Sequence, residues 1–302
     1  MPAAEPRPAE LPLPGGKPDA AVTLHPLLCG TGRWPEPYRH RESGRLATLK
    51  AIGIGDDKAQ RTVYPIVAFL VEHPAAGPIL IDTGLHPSVA VDKKQNVGRI
   101  LAATAASGWR MEPSQAVPDQ LRERGIEPSE VRLVVMTHLH FDHASGMVQF
   151  PGATFVFSRQ EWHAANQPRP WRHGYVPSHF DHAFDYRLLD FDGPGVGSFA
   201  SFGRAFDLLG DGSIRVVFTP GHTMGHMSVV LRTSEREVLL AADAAYTRHA
   251  LATGHQPFLM QDEHLFARSL REVQRYAEQT PSALVIPGHD MEAWEQLEPI
   301  YR

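Results

Sequence analysis

One cysteine, Cys29, stands in a chain of 302 residues. The chain therefore closes no internal disulfide and cannot cage zinc with thiolates. No run of about 18 apolar residues occurs, so nothing reads as a bilayer span. Met1 to Asp19 is rich in Pro, Ala and Glu and has no apolar signal core. It reads as a flexible arm over residues 1–20, and an arm lying on a partner subunit would look the same. Neither sign of charge dominates: the formal net charge of -5 gives no reason to expect a nucleic-acid partner. No short-period repeat is found. A reducing cytoplasm is the expected setting. What remains is ordinary globular composition, 42% apolar and 21% charged. At this length one layered domain, residues 21–302, can bury a full core. The surplus is in histidine, with 17 in all. A surplus alone decides little, because imidazole serves structure as readily as chemistry.

Short β-branched runs read as buried strands: Ile66 to Val71, Ile79 to Asp82, Leu133 to Met136 and Thr154 to Phe157. So do Ile214 to Phe218, Ser228 to Leu231, Val238 to Ala241 and Ala283 to Ile286. Between them, Asp262 to Glu278 carries Leu265, Phe266, Leu270, Val273 and Ala277 as one apolar stripe, with Asp262 as N-cap. Pro118 to Arg124 reads as a shorter helix stopped at Gly125. Strand groups separated by amphipathic helices predict α+β sheets covered by helices on their outer faces. Residues 162–212 are aromatic, His- and Gly-rich and weakly periodic, and read as an inserted loop region. Loops of that length tend to be lids or binding loops.

The chemistry concentrates where the strand Val131 to Met136 ends, in Thr137-His138-Leu139-His140-Phe141-Asp142-His143-Ala144-Ser145-Gly146. His138 and His140, two apart in extended chain, point to one side. Asp142 and His143 follow as the chain turns and can serve a second, adjacent ion. Imidazole with carboxylate suits zinc, and such donors also accept iron, cobalt or manganese. A His-rich surface turn is the bland alternative, and four ligand types packed after a buried strand argue against it.

Further ligands sit at matching strand ends. His222 follows the strand ending at Phe218, Asp243 ends the run Val238 to Ala242, and His289 follows the strand ending at Ile286. Gly221 and Gly288 precede the two histidines and let the backbone turn tightly there.

The order His-x-His-x-Asp-His, Gly-His, Asp, Gly-His resembles the metallo-β-lactamase superfamily, over most of the chain from about residue 65 onward. The resemblance implies an αβ/βα four-layer sandwich with the metals at one edge. It implies that His138, His140 and His222 hold one ion, that Asp142, His143 and His289 hold the other, and that Asp243 bridges them. Ile81-Asp82-Thr83-Gly84 is similar to the family's early Asp-Thr-Gly, where Asp82 orients ligands without binding metal. An ordinary Asp turn is the other reading. Phe141, Ala144-Ser145-Gly146 and Tyr246, three residues beyond Asp243, resemble the N-acyl homoserine lactonases.

That branch implies two divalent ions, most simply Zn2+, and a small lactone substrate. A metal-bridging hydroxide would open the lactone ring, a quorum-quenching reaction. Tyr246 would donate to the carbonyl or oxyanion, and Asp142 would pass a proton to the tethered alkoxide. No organic cofactor is implied. The spacing from His143 to His222 is longer than in the smallest lactonases, the departure being the extra loop within 162–212. Trp162, His163, Trp171, Tyr175, His179, Phe180, His182 and Phe184 line an acyl groove on one reading, and form satellite core or a dimer contact on the other. Gly30 to Leu49, with Trp34, Tyr38 and Leu46, either joins a homodimer or folds back on its own subunit. A promiscuous esterase or phosphotriesterase, or a hydrolase of another small lactone, uses the same centre. A glutathione-binding thioesterase is disfavoured, because only thirteen residues follow His289. A redox or scaffold protein is disfavoured by Asp142 and by the full set of seven ligands.

Overall fold

The β-branched runs pair into two sheets that face each other across the main apolar layer. The computed structural model describes residues 3–57 and 60–302. The first sheet has β1 (Arg7–Pro8), β2 (Thr23–Trp34), β3 (Thr62–His73), β4 (Gly77–Ile81), β5 (Leu133–Val135), β6 (Thr154–Ser158) and β7 (Asp185–Leu189). Their order is β1-β7-β6-β5-β4-β3-β2, with β4 to β7 parallel. The second sheet has β8 (Gly197–Phe199), β9 (Phe202–Asp207), β10 (Ile214–Phe218), β11 (Met227–Arg232), β12 (Glu237–Ala242) and β13 (Leu284–Pro287). Its order runs β13 to β8, and β12 pairs β13 in parallel.

Side-chain alternation along each strand fixes the layers. Phe69, Val71, Ile79, Ile81 and Val135 meet Val216, Val229, Leu231 and Leu240 between the sheets. The opposite faces carry Leu70, Leu80 and Val134 on one side and Val217, Val230 and Leu239 on the other. Ten helices of the described residues include α1 (Glu36–Arg39), α2 (Ala47–Ala51), α3 (Ser88–Ala103), α4 (Val117–Arg122), α5 (Phe141–Ala144) and α6 (Arg159–Ala165). The rest are α7 (Pro177–Phe180), α8 (Arg248–Thr253), α9 (Glu263–Gln279) and α10 (Met291–Trp294). Val97 and Leu101 of α3, with Val117 and Leu121 of α4, cover the first sheet. Phe266, Leu270, Val273 and Tyr276 of α9 cover the second. Each such buried side chain contributes about 1.5–3 kcal/mol. The result is the αβ/βα four-layer sandwich that the resemblance implied. No helix of the described residues is long and apolar enough to cross a membrane.

The proline-rich arm is not free in the structure. Arg7 and Pro8 pair in parallel with Arg187 and Leu188 at the edge of the first sheet. Ala3 and Ala4 amides donate to Asp181 Oδ1, and the Leu13 amide donates to Leu208 O. Without β1 the strand β7 would be an edge with unpaired backbone groups, which the arm satisfies, and Leu11 and Leu13 add apolar contacts to the inter-sheet core. Residues 162–212 likewise hold more regular structure than their weak periodicity suggests, contributing β7, β8 and β9. Several of their aromatics extend the core outside the first sheet: Trp162 meets Phe180 and Tyr186, and Phe184 stacks on Phe155. Trp171 stays exposed.

Candidate metal centre

Every candidate ligand comes from a strand end on one edge of the sandwich. β5 ends into the loop that carries His138 and His140, and the single turn α5 adds Asp142 and His143. His222 follows β10, Asp243 follows β12 and His289 follows β13. Gly221 has φ +132°, and a Cβ there would lie 2.1 Å from the Phe266 amide nitrogen. At Gly288 the need is space: a Cβ would lie 2.7 Å from Ala242 O.

All seven side chains converge and are buried. Three groups have candidate ligand atoms within 4.8 Å of one another: His138, His140 and His222; His138, His143 and Asp243; and Asp142, His143 and His289. Asp243 stands in the middle. Its Oδ2 is 3.1 Å from His222 Nε2 and 4.0 Å from His138 Nε2. Its Oδ1 is 3.2 Å from His289 Nε2 and 3.4 Å from His143 Nε2. Asp142 Oδ2 is 3.8 Å from His289 Nε2.

The polar bookkeeping fits cations. His138 Nε2, His143 Nε2, His289 Nε2 and Asp243 Oδ1 are buried yet make no hydrogen bond among the described residues. Buried polar atoms left so cost about 1–3 kcal/mol each, and here they face one another around a common space. Their other ring nitrogens are held. Asp82 Oδ2 accepts from His143 Nδ1 at 2.8 Å, and Pro65 O accepts from His289 Nδ1 at 3.0 Å. Thr137 Oγ1 is 3.1 Å from His138 Nδ1. Such orientation leaves the inward nitrogens free for metal. Asp82 also accepts from the Thr137 amide and hydroxyl, at 2.7 and 2.8 Å. Its φ of +58° is a left-handed conformation held by these bonds.

Burial pushes His138 and His140 well below the ordinary imidazole range, and neighbouring imidazoles add to it. Burial also opposes charge on His143 and His289, but Asp82 and Asp142 around the first and Asp243 beside the second raise both. For Asp243 burial favours the neutral acid, and the surrounding His289, His222 and His143 reverse this and hold it well below the carboxylate range.

Tyr246 is buried with its hydroxyl 3.3 Å from His222 Nδ1. Trp34 stacks on Tyr64 at 3.6 Å and edges His289 at 5.1 Å, so the stretch Gly30 to Leu49 folds back over the centre at this point. Leu46 remains exposed.

Two residues were missed in the sequence. His226 is buried, and burial pushes it down to about 3. Its Nδ1 donates to Thr219 O at 3.1 Å, so its Nε2 accepts from the Asp243 amide at 3.0 Å. The repeated Gly-His of Gly225-His226 was the available signal. Glu161 is also fully buried, and burial pushes its carboxyl up to about 7 despite hydrogen bonds from Thr223 and Leu139.

The chain belongs to the metallo-beta-lactamase superfamily, whose family model matches residues 61–289. Its relatives place it nearer one group within that class. It is 33% identical over 235 residues to the N-acyl homoserine lactonase AttM of Agrobacterium fabrum, covering 76% of this chain and 83% of that protein. It is 28% identical to the N-acyl homoserine lactonase AiiA of Bacillus thuringiensis subsp. kurstaki, covering 76% and 82%. The fold matches a solved N-acyl homoserine lactone hydrolase with N-hexanoyl-L-homoserine bound at its catalytic metal center. That match has a TM-score of 0.73 at 21% identity and covers 92% of this chain and 97% of the other. The chain is thus a hydrolase-fold relative of the N-acyl homoserine lactonases, with buried His/Asp clusters consistent with a dinuclear metal site.

Proposed function

We propose that this protein is a dinuclear metal-dependent lactonase that opens N-acyl homoserine lactones. The observation that carries the reading is the convergence of the buried His/Asp clusters beside the Tyr246 hydroxyl, in a chain 33% identical to AttM. His138, His140 and His222 would hold one ion, Asp142, His143 and His289 the other, with Asp243 between them. The imidazole-rich donors favour zinc, and iron, cobalt or manganese fit the same set.

Ions held there supply Lewis acidity and ionise water near neutral pH. The chain's own residues do the rest. Tyr246 donates to the lactone carbonyl oxygen, where negative charge develops when water attacks the carbonyl carbon. Asp142 takes the water proton and returns it to the ring oxygen as the carbon–oxygen bond breaks. The alkoxide stays tethered to the product, so no second leaving molecule has to be bound. Trp34 and Tyr64 give the centre an apolar wall that limits water.

The test is turnover of short- and long-chain N-acyl homoserine lactones beside a phosphotriester, a thioester and a simple lactone. Ring opening of the acyl homoserine lactones as the preferred reaction supports the proposal. Preference for the phosphotriester or the simple lactone moves the substrate elsewhere on the same centre.

A further inference from the structure

Glu161 occupies the third position of α6, below the Ser158 cap whose Oγ accepts from the Glu161 amide at 2.9 Å. A Glu three residues after a Ser cap ordinarily returns to the cap's own amide. Here its carboxyl turns from the helix and joins two separate loops. Oε1 accepts from the Leu139 amide at 2.8 Å, and Oε2 accepts from Thr223 Oγ1 at 2.6 Å. Leu139 lies between His138 and His140, and Thr223 follows His222. These three histidines form the all-imidazole cluster, with ring centroids 4.6–4.9 Å apart. Ser158 Oγ adds a second strut, donating to Gly225 O at 2.6 Å in the His222 loop.

The other cluster is held by different atoms. Asp82 fixes His143 and Pro65 O fixes His289, and neither hydrogen-bonds Glu161. Asp82 also reaches His138 through Thr137, whereas the Glu161 carboxylate bonds to the two loops that carry the first cluster. Three ligands from two loops form a ready triangle only if the loops are kept in register, and the Glu161 bridge does this from beneath.

Resting on the dinuclear reading above, we propose that Glu161 is a positioning residue for the His138, His140 and His222 cluster. It sets the affinity of the ion bound there without setting that of the other ion. Outer partners of this kind typically change metal affinity by about 10–100-fold.

The test is a titration of metal-free protein with Zn2+ against a chromophoric chelator. Wild-type chain should bind two ions; binding none refutes the metal-centre reading and this inference with it. His289→Ala, which disables the second cluster, should keep one tight ion. Adding Glu161→Ala to it should weaken that ion by about 10–100-fold. Adding Glu161→Gln, which keeps an acceptor for the Leu139 amide, should recover most of the loss. In a His140→Ala background, which keeps the second cluster, Glu161→Ala should leave the remaining affinity unchanged. Equal affinities in His289→Ala with and without Glu161→Ala overturn the inference, and weakening in both backgrounds overturns its selectivity. If Glu161→Ala fails to fold by circular dichroism, Thr223→Val carries the test, since it removes the hydroxyl bond on the His222 side and leaves the Leu139 bond in place. It should weaken the same ion, and unchanged affinity there refutes the bridge.

Discussion

At the scale of single residues, the seven candidate ligands were legible because each is a ligand type at a strand end. Spacing does not reveal what holds them. Asp82 was read from a short motif as an orienting residue, and its bonds to His143 and Thr137 supply that geometry. His226 and Glu161 went unread, since a buried polar partner looks like any other residue until the chain is folded around it. Tyr246 was singled out as a donor to substrate, and its hydroxyl also meets His222 Nδ1. Tyr246→Phe should therefore keep metal content at saturating zinc while lowering lactone turnover by about 100-fold. An unchanged kcat would remove its role. Cys29 lies wholly buried, with its thiol pushed up by burial. A thiol reagent should label it only when the chain unfolds, and rapid labelling of native protein would contradict the packing.

Among the elements, the central strands and α9 were plain because one face of each is continuously apolar. Asp262 caps α9 as its place before the apolar stripe predicts: its Oδ1 accepts from the Leu265 amide at 2.9 Å. Asp262→Ala should cost about 1 kcal/mol of stability, read as a lower midpoint in urea. No change would mean that α9 is held by its apolar face alone. β2 was not legible, because Pro26, Gly30 and Gly32 interrupt its pattern. As an edge strand it tolerates the proline, and the pairing shifts register between Leu28 and Gly30. α3 was hidden for another reason. It is broken by non-helical residues at Asp92 and Gly98 and exposes Val91 and Ile100, so no clean stripe forms. In the 162–212 stretch the strands are too short to show a period: β8 and β9 form a local hairpin beside β10, and β7 is held by β6 and β1.

In the whole molecule, the sheets and the remote end of the sandwich set how the protein responds to acid. His73 Nδ1 accepts from the Ala75 and Ala76 amides, which leaves Nε2 to donate to Asp211 Oδ2 at 3.0 Å. Burial raises the Asp211 carboxyl, but bonds from Ser213, Lys17 and His73 outweigh it and hold it at about 2. That lies below the ordinary carboxylate value of about 3.9. The Asp211 contribution to stability is present above pH ~4 and is lost as pH falls toward 2. Asp211→Asn should flatten acid unfolding in that window, and an unchanged pH profile would contradict the pairing.

The centre itself ties several strand ends from both sheets to one point, so ions that bind the folded chain should stabilise all of it. The most direct measurement is N-acyl homoserine lactone turnover by metal-free protein as zinc is added back in known amounts. A dinuclear centre should give no turnover at the start and full turnover only near two ions per chain, with a parallel rise in melting temperature. Ring opening by the metal-free chain, or full activity at one ion, would contradict it.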